Sequence, residues 1–271
     1  MPSNLFPSSP RTIFSDAPLI QVQCQLRFPP ILKIESAPPA DFQELVRGRF
    51  PLLERGSAPP NLLGMLPPGQ QLPIDLIQFL GSATGNATYL FHTADRTSTL
   101  TLTPSTIGLS TSSYKRWESF IGDFRPPFEA LVKTYNPSFY TRVGLRYSNV
   151  IDRHALGLDS QPWSKLLRPA LLGEIAEDGF EANLEQVSRM IRVRVPDLNS
   201  SMILRHGLGA QFNRQDLAYV IDIDLFSEET METANVDSIL NKFHDVAGHA
   251  FRWCIEKPVH DALGPQDPSP R

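Results

Sequence analysis

The sequence predicts an α+β protein with two similar β-α-β-β-β-α halves, whose antiparallel sheets are each backed by helices in a pseudo-twofold arrangement. Short alternating segments joined by Gly, Asn, Asp and Pro residues indicate antiparallel strands. The order strand, helix, strands, helix occurs twice, with one or two additional strands in the first copy. The strands that begin the two copies also share local sequence, QLRF at 25–28 and GLRY at 144–147. These features together predict an internal duplication.

The first half is predicted at residues 17–137 and follows an N-terminal arm, 1–16, whose Pro and Ser residues predict flexibility. Its first strand, 19–28, alternates apolar and polar side chains. A helix near 41–50 and a Pro- and Gly-rich loop, 55–73, follow. The remaining elements are strands near 74–80, 88–93, 98–103 and 106–110 and a helix over 114–135.

The second half is predicted at residues 138–257, and the tail, 258–271, has the composition of a disordered segment. The final helix is the most clearly marked element, because apolar residues from Val236 to Cys254 follow one helical stripe that should lie on a sheet. The sequence leaves open whether the halves meet edge to edge in one sheet or face to face. The other elements of this half are strands near 139–151, 183–195, 201–208 and 217–226 and a helix near 163–172.

Composition restricts the functional classes. Of the 271 residues 41% are hydrophobic and 20% charged, as in globular proteins, and the net charge of -4 disfavours nucleic-acid binding as the main function. The sequence has no secretory leader and no apolar run of membrane length, so we expect a cytoplasmic protein without membrane attachment. Cys24 and Cys254 are expected to be buried, reduced thiols.

Alternation places charged side chains on the faces of two predicted strands. Arg192 and Arg194 share one face of the segment MIRVRV, and Asp222 and Asp224 share one face of YVIDIDL. Opposite charges on neighbouring strands form cross-strand pairs, so we expect an arginine–aspartate ladder. The predicted charged face, which we expect to bind a ligand or partner, comprises Arg27, Arg146, Arg192, Arg194, Asp222 and Asp224.

The spacing of Asp222 and Asp224 has a second interpretation, because a D-x-D on a strand can hold a divalent cation. No third acid is adjacent in sequence, so pairing with arginine is the preferred interpretation. His244 and His249 lie about 140° apart around the final helix, unlike the i, i+4 histidine pair of zinc sites. We therefore predict no metal site.

Two further polar residues, Tyr147 and Asn149, follow Arg146 at the end of the central strand. They could orient a ligand or hydrogen-bond to a neighbouring loop, as strand ends commonly require. The chain contains no nucleophile elbow, phosphate-binding loop or activated-cysteine motif. We therefore predict no catalytic residues and no cofactor, although scattered Ser, His and Asp residues could converge in space.

Three segments carry a family resemblance: DAPLIQVQCQLRF at 16–28, GLRYSNVI at 144–151, and YVIDIDL at 219–225 with the helical FHDVAGHAF at 243–251. Together they resemble a sporadically distributed family of uncharacterised bacterial proteins of about this length. The resemblance implies a bacterial or archaeal cytoplasmic protein with a scattered distribution, like that of horizontally moved defence or stress genes. It supplies no catalytic residues.

The leading functional hypothesis is a non-enzymatic protein that binds another protein, as a partner or antidote in a bacterial defence or toxin system. The alternative is a sensor or enzyme for a small anion, with its site between the halves, where arginines bind a carboxylate or phosphate. This alternative requires arginines that Asp222 and Asp224 do not neutralise. Nucleic-acid binding ranks last, because the sequence offers no identifiable exposed aromatic platform.

Overall fold

An antiparallel sheet forms the centre of the computed structural model, which describes residues 5–55, 87–177, 179–210 and 217–267. Among these residues the sheet has nine strands, and helices pack against it, so the predicted α+β fold class is confirmed. The strands are β2 Leu19–Arg27, β3 Leu52–Arg55, β4 Tyr89–His92, β5 Ser98–Thr103, β6 Thr106–Thr111, β7 Arg142–Ile151, β8 Arg189–Val195, β9 Ser200–Ala210 and β10 Leu217–Ser227.

The strand order is β3-β4-β5-β6-β2-β7-β10-β9-β8, and all neighbours are antiparallel. The two strands of similar sequence, β2 and β7, lie side by side at the middle, with Gln25 opposite Gly144. The segments before and after residue 138 therefore meet edge to edge in one sheet, which is one of the two arrangements that the sequence leaves open. The predicted strand near 74–80 and nearly all of the predicted loop 55–73 lie outside the described residues.

Two 19-residue helices dominate the helical layer. The second of them packs on β7 and β10, and Val143 and Leu145 of β7 are fully buried below the helical layer. Because successive strand residues point to opposite faces, this alternation makes one face of the sheet the core and leaves the charged residues on the other. The helices are α1 Leu32–Ser36, α2 Ala40–Val46, α3 Trp117–Tyr135, α4 Trp163–Leu166, α5 Pro169–Leu172, α6 Val236–Cys254 and α7 Lys257–Ala262.

The apolar stripe predicted for α6 is confirmed: Val236, Leu240, Phe243 and Cys254 are buried. The other long helix, α3, continues through Pro126 and Pro127 and ends at Asn136, whose φ of 45° is the left-handed conformation common at helix ends. Cys24 and Cys254 are free and buried, as expected. Burial raises the pKa of both thiols, for Cys254 to about 12.

The two ends of the chain are more ordered than their composition predicts. Residues 257–262 form α7, and the short strand β11, Pro265–Gln266, pairs with β1, Ile13–Phe14, of the N-terminal arm. Phe6 of the arm is buried against Trp253 at a ring-centroid distance of 5.5 Å. The expectation of a disordered tail from residue 258 is therefore wrong for the described part of that tail, since apolar contacts and strand pairing order both ends.

No helix in the described ranges is both long enough and apolar enough to cross a membrane.

Candidate functional site

The charged face of the sheet contains a compact group of arginine and aspartate side chains, here called the charged cluster: Arg142 and Arg146 of β7, Arg205 of β9, and Asp222 and Asp224 of β10. Cross-strand register brings them together, because Asp222 lies opposite both Ser148 and Arg205. Asp222 and Asp224 are 4% and 5% exposed. Buried carboxylates at this depth require charged or hydrogen-bonding partners.

Asp222 has three such partners. Arg146 Nε donates to its Oδ2 at 2.7 Å, Ser148 Oγ donates to the same oxygen at 2.5 Å, and Arg205 Nη1 donates to Oδ1 at 3.2 Å. Asp224 has looser partners, since Arg142 Nη2 lies 3.5 Å and Arg205 Nη1 4.0 Å from its Oδ2. Burial raises the pKa of Asp224, and the nearby arginines oppose that rise.

Arg142 reaches Asp224 by lying flat across the sheet. Its Nη1 donates to Gln25 Oε1 at 2.9 Å, and its guanidinium lies 4.8 Å from the ring centroid of Phe226. The path crosses Gly144, where an added Cβ would lie 2.6 Å from Nη1. Gly144 therefore provides the space that this arginine occupies.

The predicted ladder between Arg192 or Arg194 and the two aspartates is wrong, because β9 lies between β8 and β10. Arg192 instead pairs with Glu228 at 3.2 Å, and Arg194 is exposed on β8. Among the predicted arginines, Arg146 contacts Asp222 at 2.7 Å.

Arg27 lies opposite Arg142 in the β2–β7 register. Sequence reasoning missed Arg142 and Arg205, although strand alternation alone places each of them on the charged face.

The other two predicted residues, Tyr147 and Asn149, point to the opposite, helical face of the sheet. Both line a cavity of about 360 Å³, here called the interhelical cleft, between the arm at 8–14, the start of α3, and residues 244–252 of α6. The Asn149 amide donates to the backbone oxygen of Ile221 at 3.0 Å, and this partner lies in the neighbouring strand β10 and not in a loop. The predicted site residues therefore divide between two faces.

A chain of neutral polar groups forms the floor of the interhelical cleft. Tyr147 Oη lies 2.9 Å from His244 Nδ1 and also hydrogen-bonds to Tyr114. The His244 ring stacks on Trp117 at 4.7 Å and 6°, and Trp117 Nε1 donates to Asn241 Oδ1 at 2.7 Å. These contacts fix the orientation of both rings.

Burial keeps the hydrogen-bonded groups of Tyr114, Tyr147 and His244 uncharged. It lowers the pKa of His244 to about 4, raises that of Tyr114 to about 12, and raises that of Tyr147 well above its usual value. All three groups are therefore neutral at pH 7, and they present hydrogen-bonding capacity without charge.

The wall of the cleft carries an arginine with an unusual set of partners. Arg252 Nε donates to Ser9 Oγ at 2.7 Å, and its Nη2 lies 3.1 Å from His249 Nδ1. No carboxylate in the described part of the chain lies within ion-pair distance of it. Burial lowers the pKa of Arg252, an effect that Asp245 opposes at longer range.

The lining of the cleft is basic overall. It includes four cationic residues and one acidic residue, Asp245. Arg11 and Arg116 both pair with Glu118, at 2.6 Å and 3.1 Å. The cationic residues are Arg11, Lys115, Arg116 and Arg252.

The histidines and aspartates considered for metal binding have other contacts. Asp222 and Asp224 contact arginines, while His244 and His249 contact Tyr147 and Arg252. Within the described ranges no three His, Cys, Asp or Glu residues are grouped to hold a metal ion.

No protein-family model matches the chain, and no curated protein matches it at a significant level. The resemblance carried by GLRYSNVI and the two other segments stays a prediction.

Proposed function

We propose that the protein binds a small organic anion in the interhelical cleft. The observation that carries this proposal is Arg252, a half-buried cation whose described partners are neutral. Removing a guanidinium from water without a counter-ion costs free energy, and a carboxylate or phosphate beside it would recover that cost. Ser9 and His249 would complete the anion site.

The rest of the cleft suits an organic group attached to the anion. Phe14, Phe251 and Trp117 supply aromatic surface in the lining, and Tyr147 and His244 supply neutral hydrogen-bonding groups. A volume of about 360 Å³ is the size of a metabolite site. The proposal therefore keeps the small-anion alternative drawn from the sequence and moves it from the sheet arginines to the helical face.

Binding is favoured over catalysis by the protonation states in the cleft. A general acid or base works best with a pKa near the working pH. Burial moves the pKa of His244 and that of Tyr147 in opposite directions, both away from 7. We therefore propose a sensor or carrier for the anion in preference to an enzyme.

The test is thermal-shift screening of the purified protein against carboxylates and phosphates with aromatic or aliphatic groups, followed by calorimetry of each compound that raises the melting temperature. Arg252→Gln should weaken binding by at least about tenfold, because it removes the charge-assisted hydrogen bonds. Lys242→Gln is the matched control, since it removes one exposed cation from α6 outside the cleft. Equal binding by both variants would refute the anion site.

We also propose that the chain is an internal duplication. Aligning QLRF with GLRY places Arg27 on Arg146, an offset of 119 positions. The two long helices, α3 and α6, begin at residues 117 and 236, which are separated by the same offset. In the sheet, Gln25 pairs with its aligned residue Gly144, as expected for residues on a twofold axis between antiparallel strands. Separate expression of 17–137 and 138–257 should yield two fragments that associate with each other.

The leading sequence-based hypothesis, a partner protein in a bacterial cytoplasm with a role in a defence or toxin system, is the second candidate. The observation that favours a partner lies at the sheet edge, where Met190 and Ile191 of β8 are 65% and 44% exposed. Exposed apolar residues on an edge strand are a common protein-binding feature. The charged cluster supports a partner less, because its arginines and aspartates contact each other.

A further inference from the structure

We propose that β8 binds an acidic, extended peptide segment of a partner protein, which adds to the sheet as a further strand. This inference rests on the protein-partner candidate and names the surface and the chemistry of the partner. It is independent of the interhelical cleft.

The backbone of β8 has hydrogen-bonding groups directed away from the sheet. Val187 N donates to Leu208 O at 2.9 Å, just before β8 in the same register. In antiparallel pairs, hydrogen-bonded positions alternate. The backbone N–H and C=O groups that bond to β9 are therefore those of residues 189, 191, 193 and 195. The N–H and C=O groups of Met190, Arg192 and Arg194 point outward. Within the described ranges β8 is the last strand of the sheet on this side.

The side chains of the same three residues lie on the charged face, since they alternate with Ile191 and Val193. Arg192 has a relative side-chain exposure of 56% and pairs with Glu228 at 3.2 Å, whereas Arg194 is exposed with no carboxylate in ion-pair distance among the described residues. Arg194 therefore makes this edge locally basic on a protein whose net charge is -4.

The charge of β8 indicates which kind of peptide strand would bind beside it. A strand added beside β8 places every second side chain next to Met190, Arg192 and Arg194. Acidic residues at these positions would pair with Arg194 and, in place of Glu228, with Arg192. Apolar residues at the alternate positions would cover Ile191, which is 44% exposed. The recognised segment is thus an alternation of acidic and apolar residues, held by main-chain hydrogen bonds.

The probe for the test is a fluorescein-labelled peptide of about ten residues with alternating Glu and Val. Its binding to the full chain is measured by fluorescence anisotropy at several salt concentrations, beside a peptide with Lys in place of Glu. We expect binding of the Glu/Val peptide alone, with an affinity that falls as salt rises.

Two substitutions at one position separate strand addition from charge attraction. Met190→Pro removes an outward N–H without touching the β9 ladder or the charge, and should weaken binding more than about tenfold. Met190→Thr keeps the N–H, so its affinity should stay within about twofold of the unsubstituted protein. Circular dichroism of both variants checks that the fold is retained.

Equal affinities for the Met190→Pro and Met190→Thr variants would overturn strand addition, and so would a failure of the Glu/Val peptide to bind. The partner proposal is tested separately by purifying the tagged protein gently from its own cells with mass spectrometry of bound proteins. A partner retained equally by the Met190→Pro variant would refute the β8 site alone. The absence of any partner would refute the partner proposal itself.

Discussion

The charged cluster and the interhelical cleft both contain partly or fully buried arginines, and the two regions differ in what those arginines contact. In the cluster, Arg142 and Arg146 each lie near an aspartate, at 3.5 Å and 2.7 Å. In the cleft, Arg252 contacts Ser9 and His249, which carry no negative charge. The two regions therefore differ in whether acidic side chains neutralise the arginines, and this difference is the basis for proposing a ligand site in the cleft and not in the charged cluster.

The physical basis is the cost of desolvation. Charges taken out of water are tolerated when opposite charges and hydrogen bonds replace the lost hydration, as around Asp222. A cation without that replacement is retained at a cost to stability. Substitutions in the cluster should therefore affect folding, and substitutions at Arg252 should affect binding.

The largest effect is expected for Asp222→Asn. The substitution keeps the size of the side chain but leaves Arg146 and Arg205 facing a neutral amide in a buried position. Breaking a buried ion pair in this way should lower the free energy of unfolding by about 3–5 kcal/mol. Urea unfolding followed by circular dichroism measures the loss.

The matched control for this substitution is Glu228→Gln, which breaks the solvent-exposed pair with Arg192. Exposed pairs contribute about 1 kcal/mol or less. If the two variants lose the same amount of stability, then the charged cluster does not hold the sheet together.

The second prediction concerns pH and His244. Burial lowers its pKa from 6.5 to about 4, so the unfolded chain binds a proton more readily than the folded protein in this range. Stability from this residue is thus fully present above pH 6.5 and is lost as pH falls towards 4, by on the order of 3 kcal/mol. His244→Phe keeps an aromatic ring next to Trp117 and should flatten this pH dependence in urea-unfolding measurements.

The exposed His154 provides the control, because it pairs with Asp159 at the surface. The slope of stability against pH is also measured for His154→Gln, which gives the effect of removing a histidine outside the cleft. A His244→Phe variant whose slope equals that of the unsubstituted protein would mean that the imidazole is not buried in the cleft as described.

Local patterns in the sequence predicted the elements but not their neighbours. Alternation identified β7 and β10, and the helical stripe identified α6, because side-chain periodicity is local information. The partner of Asp222 was predicted wrongly, since the position of β9 between β8 and β10 is set by long-range pairing. Alternation predicts which face of the sheet each side chain lies on. It does not predict the order of the strands, and this order determines which arginines lie next to which aspartates.

The interhelical cleft was missed for a related reason. The proposed anion site joins Ser9 to His249 and Arg252, which lie about 240 positions away in the sequence. Local sequence patterns give no information about such a long-range contact. The composition of the arm predicted flexibility, whereas Phe6 and the β1–β11 pairing dock it on α6 and the tail. The available signal was two aromatic residues, Phe6 and Phe14, in a Pro- and Ser-rich segment.

The smallest predicted effects compare two glycines that each lie beside an arginine. In the cluster, the Cβ of Gly144→Ala would lie 2.6 Å from Arg142 Nη1, and this arginine is fixed by Gln25 and Asp224. The arginine must leave its place, so unfolding free energy should fall by about 1–3 kcal/mol. Thermal and urea unfolding measure the change.

In the cleft, the Cβ of Gly248→Ala would lie 3.1 Å from Arg252 Nη1, at the free end of a half-buried side chain. Replacing glycine within a helix should stabilise the protein by up to about 1 kcal/mol, while displacement of Arg252 should weaken binding of the anion. Gly122→Ala on α3, with nothing within 4 Å of its Cβ, should give the same stabilisation with unchanged affinity. If Gly248→Ala and Gly122→Ala bind the anion equally well, the position of Arg252 does not matter for binding, and the contrast between the two regions fails.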